Sequence, residues 1–547
     1  MSATVGGRIE TVERPRSLLG PDYLRLVGLA LVAVAVHGWL IGHTGLTARD
    51  SLGFARLALC FENPSAAPPI EENRPNYMLD HIRVAEQPPG YPLVVWAVDA
   101  VHRHISDRPT ADRILISCQL ANALAAVLLV VPTYLLGRML FGRNTGFAAA
   151  LLFQVLPVPV RITSDGLTEG VYLLVTAVGV VLGVRAVRRP RISGFLLCGL
   201  ATGLGYLVRP EGLLIAVGPC AVVFWLAVTR QWARDAALAR LTALLVGVAL
   251  VAVPYMVLIG QFSNKVTATD MLNFGPPKRF HDGPDANRAA PARLLLAAWW
   301  DPERDAATPH GLWAVKAVVK EMSQSGNYVV WPLAAFAAFA LRRRFASEPG
   351  LWVLAVLVGF NFLLLVYLAA RRGYVSERHT MLLTVLGCQF AAAGLPLLAA
   401  AIGQLVPRAE RWGVRVTAAG LLVALVASTL PFVFRSMHAH REGHRHAGLW
   451  LASRLSDRDA IVDPYCWAEW YAGRTLYRIA WNPSPSRNTY VIVENTSLSP
   501  HSRLPELPVA KAYLAYPSAR AVYHWPENVP KEEAAVVVYK LGPGPDE

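Results

Sequence analysis

Residues 113–136 read RILISCQLANALAAVLLVVPTYLL, with one charge, at the first position. An α-helix rises about 1.5 Å per residue, so about 20 apolar residues cross the roughly 30 Å hydrocarbon core of a bilayer. This stretch therefore predicts a membrane-spanning helix. Working outward, similar runs cover residues 24–42, 144–160, 168–187, 192–208, 211–229, 240–260, 328–341, 350–370, 378–402 and 413–434, eleven in all with the first. The composition agrees: of 547 residues 54% are hydrophobic and only 16% charged. A soluble chain carries about a quarter charged residues, so an ordinary soluble enzyme, a fibrous repeat and a disordered chain are all excluded.

The net charge of +14 belongs to this layout rather than to nucleic-acid binding. With the N-terminus in the cytoplasm, the inner connections hold Arg8, Arg14, Arg16, Arg138, Arg143, Arg185, Arg188, Arg189, Arg191, Arg230, Arg234, Arg240, Arg342, Arg343, Arg344, Arg408, Arg411 and Arg415. The short outer turns hold only Arg161, Arg209, Arg371, Arg372 and Arg378. Basic residues collect on the cytoplasmic side of membrane proteins, and this bias alternates through all eleven runs. Counting residues 89–104 as a further span would invert every later loop, so that segment is predicted to lie on the outer surface. The organisation expected is a cytoplasmic segment 1–23, a membrane domain 24–434 with long outer loops 43–112 and 261–327, and an outer C-terminal domain 435–547. That last region mixes β-rich runs (460–462, 489–493, 534–539) with helical pieces and predicts a small α/β domain without a glycine-rich phosphate loop.

Cysteine and histidine say less. Cys118, Cys198, Cys220 and Cys388 fall inside predicted helices as small apolar residues. Cys60 and Cys466 both lie outside, where a disulfide is one option. His438, His440, His444 and His446 cluster after the last run, and the spacing of His440 to His444 suits a helical metal site. Arginines interleave and no carboxylate is well placed, so a solvated interfacial helix is the expectation, with no metal.

The outer turns carry the residues that need explaining, because arginine there opposes the orientation bias and carboxylates near a bilayer are costly. The first outer loop opens with Arg49-Asp50-Ser51-Leu-Gly-Phe54, where Asp50 could cap a helix or act as a base. Gln87-Pro88-Pro89-Gly90-Tyr91-Pro92 makes a rigid turn before a helix. Ser164-Asp165-Gly-Leu-Thr-Glu169, Val208-Arg209-Pro210-Glu211-Gly212 and Arg371-Arg372-Gly-Tyr-Val-Ser-Glu377-Arg378 follow at the outer ends of later runs. Each could be a local ion pair or cap. Together they place arginines, which grip phosphate through several N–H donors, at headgroup depth beside carboxylates.

In their order and on the predicted outer side, the first four of these motifs resemble the C-type (GT-C) integral-membrane glycosyltransferases, most nearly the bacterial branch similar to protein O-mannosyltransferases and lipid A aminoarabinose transferases. The motifs cover residues 20 to about 215, and the layout covers the rest. The resemblance implies an α-helical polytopic GT-C-like enzyme with an extracytoplasmic α/β C-terminal domain. Such an enzyme moves a sugar from a polyprenyl-phosphate donor to a hydroxyl acceptor on the outer face, with inversion and without a cofactor. It implies Asp50 as the general base. Arg209 and Arg378 lead as donor-phosphate ligands, followed by Arg161, Arg372, Lys265 and Lys278. Pro88, Pro89, Tyr91, Asp165, Glu169 and Glu211 would shape the site. Two departures stand out: Ser51 follows Asp50 where many relatives have a second acid, and Gln87 stands where a His is common. Two other readings remain: a lipid or small-molecule transporter, which should show charge near the bilayer midplane or repeated broken helices, and a noncatalytic assembly protein whose outer domain binds a partner.

Overall fold

The computed structural model describes residues 22–67, 70, 74–265, 311–456, 459–474, 488–494 and 507–542. Helix α1 is Tyr23–Gly42 and is followed by three short helices, α2 (Asp50–Glu62), α3 (Met78–Val84) and α4 (Gly90–His102). The long α5 (Thr110–Phe141), α6 (Arg143–Val155), α7 (Pro157–Ser164), α8 (Glu169–Arg188), α9 (Ile192–Val208), α10 (Leu214–Val228) and α11 (Arg234–Ile259) come next. After residues 266–310, which lie outside the described set together with Lys278, come α12 (Gly311–Ser325), α13 (Val330–Ala340), α14 (Pro349–Arg372), α15 (Met381–Leu405) and α16 (Pro407–Val433).

Eight of these helices are long and apolar enough to cross a membrane, and the α6–α7 pair makes a ninth. The shorter apolar helices Ile192–Val208 and Val330–Ala340 coincide with the two remaining runs. The chain is a multi-pass membrane protein. Its outward faces are apolar: only 11% of the window within Arg411–Val433 is buried, and Leu245, Leu250, Val253 and Val257 on α11 are exposed. Water would leave such faces unstable, and lipid covers them.

Two details depart from the sequence expectation, and a third bears on the segment not counted as a span. The run 144–160 is not one helix; α6 and α7 meet at a bend of 66°. Pro157 is the cause, since a residue before proline is driven out of the helical region, and Leu156 sits extended at φ −71°, ψ 128°. The runs beginning near 211 and 378 each open with a 3-10 turn, Pro210–Leu213 and Glu377–Thr380. The segment 89–104 is the 13-residue α4, too short to span and packed on α2 and α5.

Beyond α16 the chain forms a four-stranded sheet in the order β1-β2-β4-β3, with β1 Ala460–Val462, β2 Thr489–Glu494, β3 Arg520–Trp525 and β4 Val536–Leu541. β1 runs parallel to β2, and the other pairings are antiparallel. Helices α17 (Glu442–Ala452), α18 (Trp467–Tyr471) and α19 (Leu507–Leu514) accompany it, giving the expected small α/β unit. It docks on the membrane helices: Arg445 Nη2 lies 3.0 Å from Asp112 Oδ2, and the Trp470 indole donates to the carbonyl of Ala111 at 3.1 Å.

The histidine expectation needs correction, and the disulfide option falls away. The helix carrying His444 is not solvated on that side. His444 is fully buried, its Nε2 2.6 Å from Glu494 Oε1, with Tyr465 and Trp467 packed on its ring. His438 is occupied by Asp165, and His446 stacks on Trp525. All six cysteines are free, and Cys466 Sγ meets Arg49 Nη2 at 3.7 Å rather than a second sulfur.

Candidate functional site

Asp50 is the first residue of α2. It makes no capping hydrogen bond, although a carboxylate at this end also suits the helix dipole. Its Oδ2 instead accepts from Arg378 Nη1 at 2.8 Å, across 328 residues of chain. Arg378 stands in the 3-10 turn before α15 and donates from Nε to Glu169 Oε1 at 2.9 Å. The same Glu169 oxygen accepts from Arg209 Nη1 at 2.8 Å. Arg209 Nη2 lies 3.6 Å from Glu211 Oε1, which accepts from Lys265 Nζ at 3.1 Å. Three carboxylates and three cations thus alternate in one chain: Asp50, Arg378, Glu169, Arg209, Glu211, Lys265.

Burial separates its two ends. Glu169 is 1% exposed, whereas the Asp50 side chain keeps 54% of its surface. For Asp50, burial of the surrounding volume raises the pKa. Arg378, with Arg49 and Lys265 behind it, outweighs this and holds the carboxyl below its ordinary value. Burial drives the Lys265 ammonium downward, against the pull of Glu211. Arg209 also lies over the ring of Tyr172, 5.4 Å from its centroid.

The elements around Asp50 are fixed by specific contacts. Asp165 accepts from the backbone N–H of Ala48 at 2.9 Å and of Gly166 at 2.7 Å, while its other oxygen takes His438 Nε2 at 2.8 Å. Burial raises the Asp165 pKa; His438 and the two backbone donors more than reverse it. Asp165 therefore anchors the backbone two residues before Asp50. Phe54, one turn along α2, meets Tyr91 edge-on at 4.9 Å, and the Tyr91 hydroxyl donates to the Cys118 carbonyl. Pro88 and Pro89 are buried in the turn that starts α4. A Cβ at Gly90 would stand 2.6 Å from the carbonyl oxygen of Leu207, so only glycine lets α4 approach the strand-like link carrying Arg209. Ser51 is fully buried beside Gly166, where a Cβ would lie 2.8 Å from its own, and its hydroxyl bonds to Ala48. A second acid at residue 51 has no room, which accounts for that departure.

Arg209, Arg378, Lys265, Glu169, Glu211 and Tyr172 line a cavity of about 300 Å³. Its other wall is apolar, built by Phe360, Leu364, Leu365 and Leu368 of α14 with Leu214 and Leu382. Within it Arg209 Nε, Glu169 Oε2 and Glu211 Oε2 are buried without a hydrogen-bond partner. A space with a charged end, unfilled polar atoms and a greasy wall suits an amphiphile carrying phosphate.

Not every expected residue is in it. Asp50 stands on the far side of Arg378 and does not line the cavity. Arg161, on the last turn of α7, does not line it either; the charge it bears on is Glu377. Arg372 closes α14, and its side chain lies outside the described set. Two contributors were not singled out by sequence. His379 lines the cavity next to Arg378. From the C-terminal unit, Arg441 lies over the Trp467 ring at 5.1 Å with Nε and Nη1 buried and unpartnered, and Asp165, Glu494 and Asp50 are the carboxylates acting on it. Among the described residues no three His, Cys, Asp or Glu side chains converge as a metal site.

Residues 87–257 match the family described as dolichyl-phosphate-mannose-protein mannosyltransferase. Among solved structures, ArnT from Cupriavidus metallidurans bound to undecaprenyl phosphate is similar over 94% of this chain and 97% of its own, at 13% identity and a TM-score of 0.53. The fold is of the GT-C type. The apo form of the same ArnT gives a TM-score of 0.54 at 14% identity, covering 95% of this chain and 98% of its own. A second GT-C structure, the archaeal oligosaccharyltransferase AglB from Archaeoglobus fulgidus in complex with an inhibitory peptide and a dolichol-phosphate, is similar over 83% of this chain at 14% identity and a TM-score of 0.52. This chain spans 59% of the length of that protein. No curated protein matches the sequence.

Proposed function

We propose that the protein is an inverting glycosyltransferase that takes a sugar from a polyprenyl-phosphate donor and places it on a hydroxyl acceptor at the outer face of the membrane. The observation that carries this reading is the cavity itself: a cationic end formed by Arg209, Arg378 and Lys265 that opens along an apolar wall on α14, with Asp50 held on the other side of Arg378. The ArnT and AglB structures named above hold undecaprenyl phosphate and dolichol-phosphate, which supports a lipid phosphate as the cavity's occupant.

In the proposed reaction the acceptor O–H gives its proton to the Asp50 carboxylate while its oxygen attacks the anomeric carbon. The bond from that carbon to the phosphate oxygen breaks, and the electron pair leaves on the polyprenyl phosphate. A phosphate is a good leaving group, so the arginines stabilise it and no protein acid is required. Arg378 links the two halves. A phosphate that draws its guanidinium away from Asp50 removes the main charge depressing the Asp50 pKa and makes the carboxylate a better base when donor is present.

The test compares cells lacking the protein with cells supplied with variants, using mass spectrometry of lipid-linked sugars and surface glycans. Asp50→Asn is expected to melt like wild type and to lower transfer on the order of 100-fold or more. Arg209→Lys keeps a cation beside Glu169 but loses the guanidinium fork, and is expected to raise the donor concentration needed for half-maximal rate. Wild-type turnover by Asp50→Asn would sink the proposed base; normal glycans without the protein, together with altered lipid distribution, would favour the transporter.

A further inference from the structure

A second arginine-lined cavity lies at the opposite end of the bundle. Helix α8 begins at Glu169 in the site just described. Arg185 is 16 residues later, roughly 24 Å along the axis at 1.5 Å per residue. There Arg185, Arg189 and Arg191 line a space of about 220 Å³ between the end of α8 and the start of α9, with Ser193 beside them and Leu182 and Leu197 as apolar walls.

Orientation alone would explain exposed arginines at this end, but not that three of them line one cavity. Three arginines at the same level face protein groups instead. Arg188 donates to the Met139 carbonyl and pairs with Glu348 at 3.2 Å; Arg138 pairs with Asp22 at 2.6 Å; Arg344 donates to the Leu140 carbonyl. None of Arg185, Arg189 and Arg191 has a side-chain hydrogen bond, ion pair or ring contact among the described residues. Their charges converge on one cavity with no carboxylate in its wall. The α9 N-terminus beside them has no side-chain cap, which adds the positive end of a helix dipole to the same space. Ile192 and Leu197 next to it are 58% and 49% exposed, so the cavity opens beside the lipid-facing surface.

We infer that this pocket holds the phosphate headgroup of an anionic phospholipid, with acyl chains lying along Leu182, Leu197 and the outer face of α9. Basic pockets between membrane helices are suited to such headgroups, and arginine grips phosphate in a geometry that lysine does not reproduce. The site is separate from the proposed transferase cavity and does not depend on that assignment.

The test is native mass spectrometry of the full-length protein with phosphatidylglycerol or phosphatidylcholine, with and without millimolar inorganic phosphate. Wild type is expected to retain phosphatidylglycerol selectively and to keep it in the presence of inorganic phosphate. Each of Arg185→Gln, Arg189→Gln and Arg191→Gln should weaken retention about fivefold. A triple Arg→Lys variant preserves the charge that sets orientation, so it should insert and fold normally yet bind the lipid more weakly than wild type. Equal retention of the two lipids, or unchanged retention after all three Gln substitutions, would overturn the assignment. Displacement of phosphatidylglycerol by inorganic phosphate would overturn it in favour of a site for a free anion.

Discussion

Two carboxylates at the seam between the C-terminal unit and the membrane helices behave oppositely. Asp50 is half open and kept ionised by Arg378. Glu469, on α18, is 4% exposed, has Oε2 buried without a partner, and is pushed up to about 7 by burial and by Asp463, with Arg56 and Arg474 opposing. The sign follows from proton linkage. Between the ordinary value of 4.5 and about 7 the folded protein binds more protons at Glu469 than the unfolded chain, so stability falls as pH rises through that window. The loss amounts to roughly 3 kcal/mol. Glu469→Gln should therefore raise the melting temperature at pH 8 relative to wild type and flatten the decline between pH 5 and 8. An unchanged slope would mean that Glu469 is ionised throughout. Hydropathy and motifs gave no hint of this residue, because its burial comes from tertiary packing, with α18 lying against α17 and the Trp470 indole on the carbonyl of Ala111, far away in the chain.

The three short helices of the first outer loop show how local sequence positions a remote group. The Pro88-Pro89-Gly90 turn was legible because proline fixes the approach and glycine allows it. What it abuts was not, since Leu207 and Val208 lie more than a hundred residues on. Gly90→Ala would place a methyl carbon 2.6 Å from the Leu207 oxygen, and two backbones must separate. The expected consequence is destabilisation by about 1–3 kcal/mol and a higher donor requirement, because Arg209 is two residues beyond the contact. Gly53→Ala on α2 is the control. A Cβ there meets nothing within 4 Å, and helix propensity makes alanine neutral or better by up to about 1 kcal/mol. Equal melting temperatures for the two variants would remove the packing role assigned to Gly90. The break at Pro157 was equally present in the sequence, but a continuous apolar run across 144–160 concealed it. Hydropathy records which residues tolerate lipid and says little about where the axis turns.

At the scale of the whole molecule, the sequence carries two charge patterns that the fold separates. Arg185, Arg189, Arg191 and Arg342–Arg344 lie at one end of the bundle, while Asp50, Glu169, Arg209 and Arg378 lie at the other, joined to the C-terminal unit through His438–Asp165 and Arg445–Asp112. The span count, the opposite ends and the α/β unit were readable because each follows from local composition. The alternation of Asp50, Arg378, Glu169, Arg209 and Glu211 was not, because it joins four separate links of the chain. Family resemblance, not periodicity, had selected most of its members. The same separation of charge predicts the molecule's orientation, since the arginine-rich end should stay in the cytoplasm. Two conservative probes test it: Ser347→Cys, exposed at the arginine-rich end, and Lys531→Cys, exposed on the C-terminal unit. The native cysteines are buried or half-buried and should react slowly. In intact cells a membrane-impermeant maleimide should label the Lys531→Cys protein, whereas the Ser347→Cys protein should be labelled only after permeabilisation. The reverse pattern would place Asp50 and its cavity on the cytoplasmic side, where the acceptor would have to be a cytoplasmic hydroxyl, and the proposed outer-face transfer would fall with it.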